Sequence, residues 1–508
     1  MSTQAAALSR PLIGCSRQPG KALNASSKGY RSRDPTQNLI HRVIQKEWLT
    51  FVSRHTESGR LLPAHVYREF ESYLQCGVLA NGFMRLKCDS CPHEKLIAFS
   101  CKRRGFCNSC GARRMSEQAA FLTDWVLPKA RIRQWVLSVP IPMRYWMARN
   151  PKLMGVVLAI FLRAITGFQR EKAKKLGFKS GESGFVTLVQ RFGGSVNLNI
   201  HFHTLAIEAV YREKSGDDGT KVETHELPPP TTEEIQVLLG VIQKRIVRAL
   251  KKRGFLSDSE SGESGTGGQS NEEPGLLDLC QGASVAGQIG LGENAGQRVR
   301  KLGSFGLPGE PAMKLGPRCA SLGGFSLHAN TAVDPTEHAD LEQLCRYVTR
   351  PAIAEMRLEE GKDGRIIYRF KKEWNDGTQA VSFTPQEFIE KLVALIPEPR
   401  VHLTRFHGVL APNSKLRPLV VPVQPKRIEP SEAAATPPRD PRRLTWAELL
   451  KRIFKMDLTI CPDCGGGLKF IATIMEREVV VRILDHLGIS ATPPTFNQPR
   501  APPQTVFF

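Results

Sequence analysis

Cys88-x-x-Cys91 and Cys107-x-x-Cys110 are separated by 15 residues. That is the spacing of a four-thiolate zinc site, in which each tight turn supplies two ligands and two turns close a tetrahedron. Such a site has no position left for water and is structural. Cys101 and His93 lie within the loop and leave the ligand set open, while Arg103, Arg104, Arg113 and Arg114 crowd the second pair, as suits a metal module pressed against phosphates. The second constellation is His201-Phe202-His203. On a strand, residues i and i+2 share a face, so both imidazoles converge while Ile200, Phe202 and Thr204 face the other way. Two imidazoles so placed can seat a divalent cation, although His-x-His also occurs as ordinary packing. The third is Tyr347: Leu341, Leu344 and Val348 form the buried stripe of a helix, which leaves the tyrosine off the stripe between Arg346 and Arg350, where a phosphate would meet it. Cys461-x-x-Cys464, followed by three glycines, is half of a zinc ribbon with no second pair after it and only His486 nearby as a partner.

The elements that must position these groups follow from hydrophobic period. A basic, aperiodic tail covers 1–35, and helical patterning runs from Asn38 to Leu79 ahead of the cysteines. Leu153 to Phe168 is apolar for 16 residues but contains Arg163, so it is expected as a buried helix and not as a membrane span. Residues 185–211 change to strand character around the turn signal Gly193-Gly194, which predicts a hairpin carrying the histidines. Helices are expected at about 232–253 and 336–348, and a hairpin at 366–383 around Asn375-Asp376-Gly377-Thr378. Residues 257–318 hold 14 of the 43 glycines with little periodicity and are expected as an insertion outside the core. A Pro-rich linker at 422–441 precedes a C-terminal segment, 442–508.

At 508 residues with 41% apolar side chains, the chain can bury a sizeable core, which excludes global disorder. Lys plus Arg outnumber Asp plus Glu by 71 to 49, a net charge of +22 that points to a polyanion, nucleic acid ahead of membrane. Leu12-Ile13-Gly14-Cys15 imitates a lipoprotein cleavage site, but Arg10-Pro11 interrupts the apolar run it would need. The expected compartment is therefore a reducing cytoplasm, where cysteines serve metal or packing and not disulfides.

In their order, these motifs resemble the rolling-circle insertion-sequence transposases of the HUH single-strand endonuclease superfamily, including the insertion-sequence-common-region group with its N-terminal transposase zinc-binding domain. The resemblance covers roughly residues 38 to 425. It rests on the cluster from Ser100 to Cys110, on Gln190-Arg191-Phe192-Gly193 leading into Asn197-Leu198-Asn199-Ile200-His201-Phe202-His203, and on Gly324-Phe325-Ser326-Leu327-His328-Ala329-Asn330. It continues in Leu344-Cys345-Arg346-Tyr347-Val348-Thr349-Arg350-Pro351 and in Arg405-Phe406-His407-Gly408-Val409-Leu410-Ala411-Pro412.

The resemblance implies an α+β fold: an HUH-type antiparallel sheet with flanking helices over 126–421, preceded by a helical, four-cysteine zinc-binding DNA-recognition domain over 36–125. It implies structural zinc on Cys88, Cys91, Cys107 and Cys110, and catalytic Mg²⁺ or Mn²⁺ on His201 and His203. Gln190 is the first choice of third ligand and His328 the second. Tyr347 is the implied nucleophile on single-stranded DNA at element ends and later on target DNA, with Arg346 and Arg350 steadying the phosphate or favouring the phenolate. Some members carry two catalytic tyrosines, whereas the next one here is Tyr368, so the resemblance is to a one-tyrosine enzyme. A replication initiator or relaxase of the same chemistry is the alternative enzyme, and a non-catalytic zinc-ribbon DNA-binding protein the alternative class.

Overall fold

The computed structural model describes residues 34–500 apart from 58, 217–218, 257–272, 304–315, 375, 423–439, 441, 443 and 455–456. The expected basic tail and Pro-rich linker fall almost wholly outside the described residues. Two helices open the chain, α1 (Leu39–Thr56) and α2 (Ala64–Leu74), and Trp48 stacks on Phe70 between them with ring centroids 3.8 Å apart. The hairpin β1 (Phe83–Cys88) and β2 (Glu94–Ala98) leads to α3 (Asn108–Trp125). Next come β3 (Ile132–Ser138), α4 (Ile141–Arg149) and α5 (Pro151–Lys175), which starts where Asn150 caps the Leu153 N–H and Pro151 needs no partner for its own nitrogen.

β4 (Gly184–Phe192) and β5 (Leu198–Ile207) are the expected hairpin. The long strand predicted to reach Tyr211 breaks at Glu208, whose buried carboxylate is held by Arg133, and a second hairpin follows, β6 (Ala209–Gly216) with β7 (Gly219–Glu226). α6 (Thr232–Lys251) begins with the reciprocal Thr231/Glu234 capping box. The stretch expected as a loose insertion is in part a core element. In α7 (Leu276–Ala286), Leu276, Leu277, Cys280 and Val285 are buried, and Ser284 Oγ accepts the Leu198 N–H that begins β5 (2.8 Å). Its glycines misled the period argument because they punctuate the helix, Gly275 before it and Gly287 after it at φ 69°.

β8 (Arg300–Leu302), β9 (Cys319–Leu322), β10 (Phe325–His328) and β11 (Ala332–Val333) precede α8 (His338–Thr349), which carries Tyr347. β12 (Leu358–Glu360), β13 (Ile366–Arg369) and β14 (Ala380–Phe383) form a small sheet with β8, and α9 (Pro385–Leu395), β15 (Thr404–Gly408) and α10 (Arg417–Val420) follow. The chain then gives α11 (Trp446–Phe454), β16 (Leu468–Ile474) and α12 (Arg477–His486).

The main sheet runs β15-β4-β5-β3-β10-β9, every pair antiparallel, with β11 also against β3. Strand alternation splits its residues between two cores. Trp135, Leu137, Ile200, Phe202 and Leu327 pack under α5 and α6, while Val186, Leu188, Leu205 and Ile207 pack under α3 and α8. α5 is long and apolar enough to cross a membrane by length and composition; here Val157, Phe161 and Ile165 are buried in the first of these cores. The molecule is thus α+β, with a helical, cysteine-bearing N-terminal region.

Candidate functional site

His201 and His203 point from β5 to the face that α3 and α8 cover, and both are buried. His201 donates through Nδ1 to the Asn199 carbonyl (2.9 Å), which makes its Nε2 an acceptor, 3.1 Å from His203 Nε2. Burial, reinforced by Arg350 and Arg144, lowers His201 to a pKa of about 4. Burial, His201 and Arg350 lower His203 to about 2. Both rings are therefore neutral near pH 7, the state in which imidazole binds metal. Gln190 sits directly opposite His201 in the hairpin register and anchors α8 through Nε2, which donates to the Val348 carbonyl (2.7 Å). Its Oε1 is buried and has no partner among the described residues. Two convergent neutral imidazoles beside an orphaned amide oxygen are a donor set that could hold a divalent cation.

Tyr347 stands over this pair. Its ring meets His203 edge-on at 5.9 Å between centroids, and Arg350 lies 4.4 Å from its centroid and 5.6 Å from that of Phe192. At 49% exposed, the tyrosine is reachable from outside while its ring faces His203. Arg346, one residue earlier, has a buried Nε without a hydrogen-bond partner among the described residues and takes no part in the Tyr347–Arg350 stack. His328 lies two strands from His203, across Val136, and contacts Cys319 Sγ at 3.0 Å; it is not brought to the pair. Tyr368 is a core residue, 4% exposed, whose hydroxyl accepts the Ala354 N–H, so it is no substitute for Tyr347.

One participant escaped the sequence reading. Gln134 on β3 places Nε2 2.6 Å from His203 Nδ1. Turning that amide over would make its oxygen the acceptor of an Nδ1–H and release the second Nε2 lone pair toward a cation. Nothing in the local sequence marks it; only the register of β3 against β5 does.

The cysteines correct the expectation of a single Cys88/Cys91/Cys107/Cys110 site. They form two clusters, Cys76–Cys101–Cys107–Cys110 and Cys88–Cys91–Cys461–Cys464. Sulfur separations of 3.6 Å (Cys76–Cys107), 3.8 Å (Cys76–Cys110) and 3.4 Å (Cys101–Cys110) in the first, and 3.4 Å (Cys88–Cys464) and 3.6 Å (Cys91–Cys461) in the second, approach the roughly 3.8 Å edge of a tetrahedron with 2.3 Å zinc–sulfur bonds. Backbone N–H groups point at the sulfurs as in metal knuckles: Lys102 to Cys110 (3.2 Å), Cys101 to Cys76 (3.3 Å), Ser90 to Cys88 and Gly466 to Cys464 (both 3.4 Å). Lys102 reaches its place through a left-handed φ of 54°. The second cluster exists because β16 pairs with β1, Cys88 opposite Leu468. The C-terminal half-ribbon thus finds its other half near the N-terminus. His486 is not its partner, lying instead in a groove with Arg85 and Glu94. His93 stays outside the thiol quartet and contacts Asp463 Oδ2 at 2.7 Å.

α3 carries the first cluster to the tyrosine helix. Gly111 approaches Pro351 so closely that a Cβ there would lie 2.8 Å from the proline ring. Between these segments and the edge of β4 lies a cavity of about 250 Å³, lined on its basic side by Arg103, Arg104, Arg114, Arg191 and Arg350.

Two families match the chain. Residues 184–417 match one described as "Putative transposase", and residues 43–139 match a transposase zinc-binding domain of the IS91 type. No curated protein and no solved structure matches. The first stretch contains Gln190, His201, His203 and Tyr347, and the second contains the whole Cys76 cluster; Cys461 and Cys464 lie beyond both. Together the matches support a transposase role, and with the cysteine clusters they support structural zinc.

Proposed function

We propose that this chain is a rolling-circle transposase that nicks and rejoins single-stranded DNA at element ends through a 5′-phosphotyrosine. The observation that carries the reading is the seating of Tyr347, edge-on against His203 and under Arg350, above two imidazoles whose Nε2 atoms face one another. His201, His203 and Gln190 Oε1 would hold Mg²⁺ or Mn²⁺, which supplies Lewis-acid polarisation of a non-bridging phosphate oxygen. Tyr347 Oη forms the new bond to phosphorus, the bond to the 3′ oxygen breaks, and the proton lost by the phenol is balanced by the one the 3′-hydroxyl gains. One phosphodiester replaces another, so the step is close to isoenergetic and the freed hydroxyl, or one on target DNA, can reverse it. Arg350, already stacked on the ring, is placed to bind the phosphate as it arrives. Arg346 has no such placement and is assigned to the DNA-facing helix surface only. Gln134 and Asn199 orient the imidazoles.

The test is incubation of the full chain with a 5′-side-labelled and a 3′-side-labelled single strand carrying an element end, in Mn²⁺. A covalent protein–DNA adduct retaining the label 3′ to the nick is expected. Wild-type protein that binds the strand but never forms an adduct would leave the DNA-binding alternative standing.

A further inference from the structure

We propose that the cavity between the first cysteine module and the free edge of β4 is a phosphate subsite for the DNA strand, built around Arg191. The inference rests on the single-strand DNA reading above. The β15 ladder on β4 ends at Leu188, opposite Thr404, the Val189 N–H still donates to the Leu403 carbonyl (2.8 Å), and the hairpin register slips between Gln190 and Phe192. Arg191 therefore sits at a bulge just past the last β15-side hydrogen bond to this strand among the described residues. It is 8% exposed, lines the cavity, and its Nε and Nη2 are buried with no hydrogen-bond partner among the described residues.

A guanidinium left without hydrogen bonds inside a protein is costly and is retained where something else completes it. The charge of Glu398 acts on Arg191, and a guanidinium is a cation near pH 7. The rim has the same sign. Arg104 Nη1 donates to the Val401 carbonyl (3.1 Å), Arg103 Nε to Ser72 Oγ (3.0 Å), and Arg114 Nη2 to the Lys102 and Arg103 carbonyls (3.1 and 3.0 Å). These partners are neutral oxygens, which fix the arginines without cancelling their charge. Glu69, whose carboxylate interacts with the charges of Arg103 and Arg114, accepts the Gly105 N–H, and burial raises its pKa. Several fixed cations around one concave space, with a guanidinium buried in its wall whose Nε and Nη2 have no partner among the described residues, suit a phosphodiester. Because Gln190, Val348 and Arg350 line the same cavity, the phosphate held there belongs to the strand that enters the tyrosine site. The arrangement would couple end recognition by the metal module to positioning of the scissile bond.

The experiment uses the full chain, a labelled single-stranded oligonucleotide and chelator-free buffer without added divalent metal, comparing wild type with Arg191→Met and Arg104→Gln. Arg191→Met should weaken binding about tenfold and make the slope of log K against log salt less negative by about 0.7, one phosphate's worth. Its melting temperature without DNA should be unchanged or higher, since an unpartnered buried charge is removed. Arg104→Gln, on the exposed rim, should shift the slope the same way and decides the matter if the methionine variant misfolds. Unchanged affinity and slope in both variants, or a lower melting temperature with unchanged affinity in Arg191→Met, would overturn the subsite. If wild type fails to bind the strand, the functional reading fails separately. Pyrophosphate that raises the melting temperature of wild type but not of Arg191→Met would still support the anion site, and equal effects on both would sink it.

Discussion

Tyr347 is bound to its site by its ring and not by its oxygen: the contacts to His203 and Arg350 are both ring contacts. Tyr347→Phe should therefore keep folding and single-strand affinity within about twofold while removing the covalent adduct altogether, because only the nucleophilic oxygen is lost. An adduct formed by the Phe variant would assign the chemistry elsewhere. The histidine pair makes a second, independent prediction. Above pH 6.5 both imidazoles are neutral in folded and unfolded chains and contribute nothing to the pH dependence of stability. As pH falls from 6.5 toward 4, the unfolded chain takes up protons that the folded site refuses, so stability drops by roughly 1.4 kcal/mol per pH unit for each imidazole. Denaturant midpoints of metal-free protein between about pH 7 and pH 5 should slope accordingly, and His201→Gln with His203→Gln should flatten that slope; equal slopes would mean that the rings are not the proton-refusing groups. At this scale the sequence disclosed the residues that bear chemistry, since period two alone puts the imidazoles on one face. It could not disclose Gln134, whose role depends on a strand pairing made about seventy residues away in sequence.

The elements explain why the cysteine arithmetic failed while the hairpin reading held. Gly193-Gly194, the β-rich run before it and the alternation after it are local signals, and β4 and β5 form where they point. Cysteine pairs are local too, but the pairing of pairs is not. The β1–β16 register joins residues nearly four hundred positions apart, and no spacing rule sees that contact. The two clusters should therefore come apart independently. Wild-type protein purified without chelators should carry two zinc ions per chain by elemental analysis. Cys461→Ser should carry one, with β16 and α12 open to proteolysis and the main sheet intact. Cys107→Ser should lose the other and cost more stability, because Cys107 is buried in the helical core with Phe70 and Phe106. Neither change should alter the divalent-ion requirement of cleavage at the histidines. A single zinc in wild type, lost entirely on changing Cys461, would show that the eight thiols do not make two sites.

Over the whole molecule, charge and layout serve one path. The +22 excess is not spread evenly over ion pairs: five arginines gather around the cavity beside β4, held by neutral oxygens or an aromatic stack, or, for Arg191, with Nε and Nη2 lacking a hydrogen-bond partner among the described residues. Elsewhere arginines serve structure, as Arg452 does in tying α11 to Asp124 of α3 and Glu342 of α8. One phosphate contact for each of these five arginines, in the cavity and along its rim, sets an upper bound of about five. Each phosphate neutralised on a single strand releases condensed counterions and contributes about −0.7 to the slope of log K against log salt, so the expected slope is roughly −3.5. Between about 50 and 200 mM salt, affinity should then fall by about two orders of magnitude, since a fourfold rise in salt is raised to that power. Fluorescence anisotropy with a labelled single strand across that range measures it directly. A slope near zero would mean that the charge excess lies off the binding path and that the strand is held by stacking alone. A slope far steeper than five phosphates allow would place part of the footprint on basic residues outside the cavity.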